Sequence, residues 1–487
     1  MFRMSNILAS SSLALLLATA PAAHGAVFQV TKTADTADGA CNHDCSLREA
    51  ILAANAAPGL DVVLLGSGVV TYTLTRAGDG EDQGVTGDLD VLDDLAIAGD
   101  NPMSSAIDGS ALDRVLDVHA GASLEVVGVW IRNGLTDHEP GGGIRVTGKL
   151  TLTNSIVNAS AAPHDFGGGV HGEGASSSIR VVRSSFSGNR AASGGGISSE
   201  GVIDLINSTL VDNFAVAGSG GGLYASSKSH GTVSNSTIAH NGASEKGGGV
   251  FVGSEPFISV THPVFKNSII AANGSGIDGD CSGSALSAGN NLVGIGGGCL
   301  DFAAGANLLG TAASPLDPGL NDAGLVGGNT GAFVPKAMSP AVNHGSGCEA
   351  ADQRGAVRSE PCDIGSIEVT AQCISGGAKL CLQNGRFQVE VRYDTTTGTD
   401  GTGLSIQLTN DSGYFWFFSS ANVELTIKVL DGCGLNNKYW VFVSGMTNVA
   451  VRMTVTDLVT GATKTYTNPL NQTFKTVTDT NAFASCG

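Results

Sequence analysis

The sequence predicts an all-β chain: a parallel β-helix (solenoid) with an N-terminal capping helix, followed by a C-terminal β-sandwich. Three observations predict it. A triple glycine begins at Gly141, Gly167, Gly194, Gly220 and Gly247, at spacings of 26, 27, 26 and 27 residues. Seven-residue segments run in phase with it from Asn154, Arg183, Asn207, Asn235 and Asn267 (NSIVNAS, RSSFSGN, NSTLVDN, NSTIAHN, NSIIAAN). Past Val369 the composition changes and aromatic residues concentrate. A fixed period of this size marks a stack of coils.

Each repeat is too short and too glycine-rich for a pair of helices. After every triple glycine stands an aliphatic residue and a short β-like run, such as Ile144-Arg145-Val146 or Leu223-Tyr224-Ala225. Runs of this kind bounded by Gly, Asn and Ser read as strands. Equivalent strands then stack in parallel, each coil ~4.8 Å above the last. A coil cannot bury its own apolar side, so only the stack has a core. The fourth place of each segment, Val157, Phe186, Leu210, Ile238 and Ile270, is the expected core position. Glycines make the corners, where φ > 0 or a close backbone approach is needed. The last place is Ser160, then Asn189, Asn213, Asn241 and Asn273. Recurrent Asn suits left-handed turns or a stacked amide ladder.

Taken from its start, the chain opens on a secretory signal, residues 1–25. Arg3 gives the positive end, Leu13 to Ala18 the apolar middle, and Ala23-His24-Gly25 a small-residue cleavage site. No later segment is long and apolar enough to cross a bilayer. Ten cysteines in an exported chain point to disulfides. Sequence neighbours suggest Cys41–Cys45, Cys281–Cys299, Cys348–Cys362 and Cys373–Cys381, which leaves Cys433–Cys486, although sequence alone does not fix connectivity. The net charge is −19 with 14% charged residues. Nucleic acid, which calls for basic patches, is therefore a poor partner.

Residues 26–59 form the cap. Ser46 and Glu49 make a capping box ahead of LREAILAAN. Leu47, Ala50, Ile51 and Ala54 fall on one helical face. Such a helix covers the open end of the stack, whose free strand edges would otherwise recruit other chains.

CSLREAILAAN resembles the CSLREA motif at the start of bacterial secreted β-helix proteins. The segment Asp352-Gln353-Arg354-Gly355, followed by Cys362-Asp363-Ile364-Gly365-Ser366-Ile367-Glu368, resembles the ending placed before C-terminal surface anchors of the choice-of-anchor type. The NSTxxxN coils are similar to those of polymorphic outer-membrane proteins. The resemblance covers about residues 27 to 369. It implies a right-handed parallel β-helix that is secreted or surface-exposed, and it implies no activity.

Residues 60–369 are the expected β-helix. Its first coils, up to 135, carry Asp79, Glu81, Asp82, Asp88, Asp90, Asp93 and Asp94 close together. Asp79, Asp82, Asp88 and Asp90 are candidate ligands for calcium, which takes hard oxygen donors; the ordinary alternative is a solvated acidic rim. No other cofactor is implied. From 274 to 340 the period decays, and residues 341 to 369 are expected to close the solenoid. Residues 370–487 read as a β-sandwich of short, regularly spaced strands. The aromatic cluster there reads as core rather than as a sugar platform.

Strand alternation places one outward residue per coil beside each triple glycine. Those residues are Arg145, His171, Ser198, Tyr224 and Phe251: either a column able to contact a glycan, or one ordinary sheet face. In the regular coils the acids are sparse, and no pair on neighbouring coils stands out. Asp212 and His240, both at the sixth place of their segments, are the one candidate pair. No catalytic set is identified. The sequence therefore points to a non-catalytic cell-surface or secreted binding or adhesion scaffold, with an extracellular polysaccharide or cell-surface component as partner. The alternative is a polysaccharide lyase or glycoside hydrolase working on the helix flank.

Overall fold

The computed structural model describes residues 25–486, apart from 79, 255–261, 300–301, 303–304, 322–323, 325–328, 337–338, 370–372, 374–375, 384, 396–397, 399 and 459. The expected leader, residues 1–25, lies outside the described residues but for Gly25. The chain divides into two compact units, Met1–Glu368 and Val369–Gly487. All five expected cysteine pairs are formed. No helix among the described residues is long and apolar enough to cross a membrane.

The first unit is a parallel β-solenoid. One coil shows the plan. Strand Ile156–Asn158 leads to Ala161–Phe166, the chain turns at Gly167, and Val170–Gly172 and Ser178–Val182 follow. Ser185–Ser187 then lies in register on Ile156–Asn158. Stacking gives four parallel sheets. The first holds ten strands, from Val27–Gln29 to Leu286–Ser287; the second holds nine, from Leu89–Val91 to Gly298–Cys299. The third holds ten, from Val70–Thr73 to Leu308–Leu309, and the fourth holds five, from Ala161–Phe166 to Gly274–Ile277.

The core is where the fourth-place rule puts it. Val157, Phe186, Leu210, Ile238 and Ile270 are all fully buried. Ile144, Val170, Ile197, Leu223 and Val250 face them from the second sheet, and Leu152, Val181 and Leu205 from the first. The recurring polar residues divide the labour by place. First-place residues Asn154, Arg183, Asn207, Asn235 and Asn267 take positive φ at a corner. Second-place serines form one backbone ladder, with Ser184 N donating to Ser208 Oγ and Ser208 N to Ser236 Oγ, each at 3.2 Å. Last-place asparagines form a second ladder inside the core. Asn189 Nδ2 donates to Asn213 Oδ1, Asn213 to Asn241 and Asn241 to Asn273, at 2.9, 2.9 and 3.0 Å.

The triple glycines stack backbone on backbone. The first of each has positive φ. A Cβ on the middle one, Gly221, would stand 2.2 Å from the Gly242 carbonyl oxygen of the next coil. No side chain fits there, which is why the motif returns in five successive coils.

Helix α1 (Leu47–Asn55) carries the expected capping box, and Leu47, Ala50, Ile51 and Ala54 are buried against the first coil. The segment expected to close the stack does something else. Instead of sitting on the end, it runs back along the outside of the third sheet. Ser346 O accepts from Asn267, Glu349 N donates to Asn235, and Arg358 Nη2 donates to Asn207 Oδ1. Thr330 Oγ1 reaches Arg183 O. The corner residues of four successive coils are thus held by one strap, and Phe333 packs with Val211 and Ala239 beneath it. At the end of the stack, Phe302 is buried against Phe265, their rings 5.8 Å apart.

The second unit is a sandwich of two five-stranded antiparallel sheets. Phe387, Val389, Val391 and Met453 of one sheet share a core with Phe415, Ile427, Val429 and Val441 of the other. The aromatic cluster is split. Phe387, Phe415, Phe417 and Tyr439 are core, while Phe418 is exposed and Trp440 stands edge-on to Phe442 at 6.4 Å.

Candidate functional site

The second sheet carries the predicted column. Arg145 pairs with His171, His171 with Ser198, Ser198 with Tyr224 and Tyr224 with Phe251, each in direct register. The column continues beyond the regular repeats. Arg145 pairs with Asp117, Asp117 with Asp90, and Phe251 with Ser282.

The outward expectation is corrected for two members. His171 and Ser198 are only 3% and 1% exposed. Each lies beneath the glycine corner four residues earlier, where a Cβ on Gly167 or Gly194 would stand 2.7 Å from the Cβ of His171 or Ser198; Tyr224 lies beneath the equivalent corner at Gly220 and reaches past it. The ring of Phe166 lies 6.1 Å from that of His171. Burial pushes the His171 imidazole down to about 4, so it is neutral at pH 7. Tyr224 and Phe251 stay half-open to solvent. Their rings stack at 5.3 Å with 19° between planes, and Phe166 stands 5.3 Å from Tyr224. Arg145 also reaches the surface, its side chain 21% exposed.

At the other end of the column stand the acids. The predicted calcium set is only partly assembled. Asp79 lies outside the described residues. Asp82 and Asp90 converge, but with Asp117 and His119 rather than with Asp88; one ligand atom from each of these four lies within 4.8 Å of the others. Asp88 turns instead to Arg114, whose Nε is 2.6 Å from Asp88 Oδ2. Arg114 also pairs with Glu139. His119 Nε2 is 2.6 Å from Asp90 Oδ1, and Arg145 Nε donates to Asp117 Oδ2 at 2.9 Å.

Burial dominates the electrostatics here. It pushes the Asp88 carboxyl up to about 8 against the pull of Arg114, with Asp90, Asp113 and Asp117 adding to the rise. It pushes Asp90 up to about 6 against the hydrogen bond from His119. A cleft of about 360 Å³, lined by Leu112, Asp113, Leu135, Asp137, His138 and Glu139, opens alongside.

The cap motif builds this corner. The Arg48 guanidinium is buried and donates to the carbonyls of Gly84, Gly87 and Asp88 at 2.8–2.9 Å while pairing with Asp35 at 2.7 Å. Asn55 Nδ2 donates to Asp90 O at 2.8 Å, and Leu92 N donates to Asn55 Oδ1 at 2.9 Å. Helix α1 thus fixes the backbone on which Asp88 and Asp90 stand.

Sequence reasoning missed Asp117, His119 and Arg114. A signal was present: Leu-Asp-Val occurs at 89–91 and again at 116–118, 27 residues on. That is the glycine period continued upstream without its glycines, and it puts acids at equivalent places on neighbouring coils. The pair seen in the regular coils, Asp212 and His240, occupies left-handed corners, and His240 stacks toward Phe333 at 5.2 Å instead. The other grouping of ligand types, Asp431 with Cys433 and Cys486, has its sulfurs in a disulfide. Compared with family models, with curated proteins and with solved structures, the chain matches none.

Proposed function

We propose that this chain is an exported binding scaffold of the CSLREA-motif β-helix type, secreted or held at the cell surface. Its ligand is an extended extracellular polysaccharide lying along the second-sheet flank. One observation carries this reading: Phe166, Tyr224 and Phe251 form a continuous ring strip that runs along the solenoid axis, half-open to solvent. Aromatic faces spaced by the rungs suit a polymer with a regular repeat, and Arg145 stands further along the same column. The signal-like start and five disulfides support an oxidising, extracellular setting.

Affinity electrophoresis of the full chain in acidic and neutral polysaccharides tests it. Retardation by at least one polymer is expected, with about a tenfold weakening in Tyr224→Ala, the equivalent of ~1.4 kcal/mol. Equal retardation of wild type, Tyr224→Ala and Phe251→Ala would reject it, as would no retardation at all.

A second reading, a lyase or hydrolase on the same flank, is favoured by the convergence of Asp90, Asp117 and His119 on the column that carries the strip. Such chemistry needs a base near the sugar ring and paired carboxylates. Release of reducing ends or unsaturated products, abolished by Asp117→Asn, distinguishes it from pure binding.

A further inference from the structure

We infer that Asp82, Asp90, Asp117 and His119 form a binding site for one first-row divalent metal ion, Mn²⁺ or Zn²⁺. The inference does not depend on the polysaccharide reading. The four groups offer ligand atoms that all lie within 4.8 Å of one another. A cluster of acids alone is ordinary. What sets this one apart is two oxygens: Asp90 Oδ2 and Asp117 Oδ1 are buried with no hydrogen-bond partner among the described residues. Asp90 and Asp117 are 0% and 2% exposed.

A buried carboxylate oxygen without a well-formed hydrogen bond is costly. Two of them on directly paired strands are costlier still, because like charges opposite one another destabilise a sheet. Each carboxylate already has one oxygen occupied, Asp90 Oδ1 by His119 and Asp117 Oδ2 by Arg145. The other oxygen of Asp117 is left over, and beyond His119 the Asp90 carboxylate has only the Gly84 backbone amide near it, short of a well-formed hydrogen bond to Oδ2. A cation placed between them answers both, which the repeated Leu-Asp-Val otherwise leaves unanswered.

The donor set chooses the ion. Calcium takes six to eight oxygens and has little use for an imidazole. Three carboxylates with one imidazole nitrogen suit Mn²⁺ or Zn²⁺. Exposed Asp82 and half-buried His119, whose side chain is 25% exposed, give the ion its way in. Binding replaces the contact between His119 Nε2 and Asp90 Oδ1. The surrounding shell is already built. Arg145 orients Asp117, and Asn55 and Arg48 hold the backbone beneath Asp90 and the preceding loop; such support is what keeps a metal site in shape.

The test is calorimetric titration of the chelator-stripped full chain with MnCl₂, ZnCl₂ and CaCl₂, with loss of the free Mn²⁺ spin-resonance signal as a second readout. One Mn²⁺ or Zn²⁺ per chain is expected, with CaCl₂ at least about tenfold weaker. Asp90→Asn and Asp117→Asn should each weaken binding by about tenfold or more. Because those two are buried, Asp82→Asn and His119→Gln serve as variants whose circular dichroism and Tm should match wild type while affinity falls. His138→Ala, in the neighbouring cleft, should bind as wild type does. Absence of one-to-one binding by both ions overturns the inference. So does calcium binding as tightly as either, or unchanged affinity in folded Asp82→Asn and His119→Gln.

Discussion

Asn213 Nδ2 donates to Asn241 Oδ1 at 2.9 Å, from one coil to the next, in the interior of the solenoid. The same Asn213 donates to Phe186 O and accepts from both the backbone N and the Nδ2 of Asn189. Every hydrogen-bonding group of a buried amide is therefore spent on holding neighbouring rungs. Asn213→Ala strips partners from Asn189, Asn241 and the Phe186 carbonyl at once. Each buried group left unsatisfied costs roughly 1–3 kcal/mol, so a loss of about 3 kcal/mol or more in urea unfolding is expected. A loss below about 1 kcal/mol would show that the ladder is incidental.

The glycines of the stack divide into those with no room and those with space, the corner residue Gly221 against Gly274 of the last strand in the fourth sheet. Gly221 would place a Cβ 2.2 Å from Gly242 O and 2.5 Å from Gly248 O, whereas Gly274 would meet nothing within 4 Å. Gly221→Ala is expected to lower stability by about 2–3 kcal/mol, and Gly274→Ala to change it by less than about 0.5 kcal/mol. Thermal unfolding of the two variants side by side gives the comparison. Equal effects would contradict the backbone-on-backbone stacking.

Two buried groups each add a term to stability that acid removes, in separable windows, while the raised carboxyls of Asp88 and Asp90 act in the opposite sense. Burial holds the folded-state His171 near about 4, below its ordinary 6.5. The unfolded chain then takes up a proton that the folded one refuses, so the His171 contribution falls as pH drops from 6.5 to about 4. Burial alone would raise Glu49, but hydrogen bonds from Ser46, Thr36, Asp38 and Lys32 outweigh it and hold the carboxyl at about 2 instead of 4.5. Its contribution is present above 4.5 and is lost between 4.5 and about 2. Each is on the order of 3 kcal/mol. Relative to wild type, His171→Gln should lack this component: the difference between the two unfolding free energies should change by about 3 kcal/mol between pH 6.5 and 4 and stay constant through the lower window. A difference that is constant across the upper window too would show that His171 is open to protons.

Arg48 ties the cap to the acid corner. Its guanidinium is buried, paired with Asp35 and shared among three carbonyls. Removing it in Arg48→Ala leaves Asp35 buried without its partner, at a cost of about 3–5 kcal/mol. Arg48→Lys, a point charge without the planar fork, should rescue less than half. Hydrogen exchange should rise first at the amides of residues 84–91. A rise elsewhere with those amides still protected would place the cap's role away from the acids.

Much of the architecture was legible because it is periodic. Phe186 could be placed in the core, and Tyr224 beside Phe251, by counting residues. The face of α1 followed from Leu47, Ala50, Ile51 and Ala54, and four of the five cysteine pairs from proximity along the chain, with Cys433–Cys486 as the remainder. What escaped was what does not repeat locally. His171 and Ser198 lie beneath the same glycine corner as Tyr224 but do not reach past it as the longer tyrosine does, a difference of side-chain reach that strand alternation does not reveal. Asp90 and Asp117 sit at equivalent places without the glycines that flag the period, and the intervening loops hid the match. The strap from Thr330 to Gly365 meets coils more than a hundred residues earlier in the chain, such as Asn207 with Arg358. No short-range pattern encodes that.

The flank, the strip and the metal corner all require that column residues on successive coils pair directly. Cysteine pairs read this out. Tyr224→Cys with Phe251→Cys joins two positions in direct register, within the Cα separation a disulfide accepts; Tyr224→Cys with Val252→Cys is offset by one residue, its second position turned into the core. Peptide mapping after mild oxidation should find a 224–251 bridge in the first variant and no 224–252 bridge in the second. A bridge formed only in the offset pair, or in neither, would contradict the stacking on which the proposed site is built.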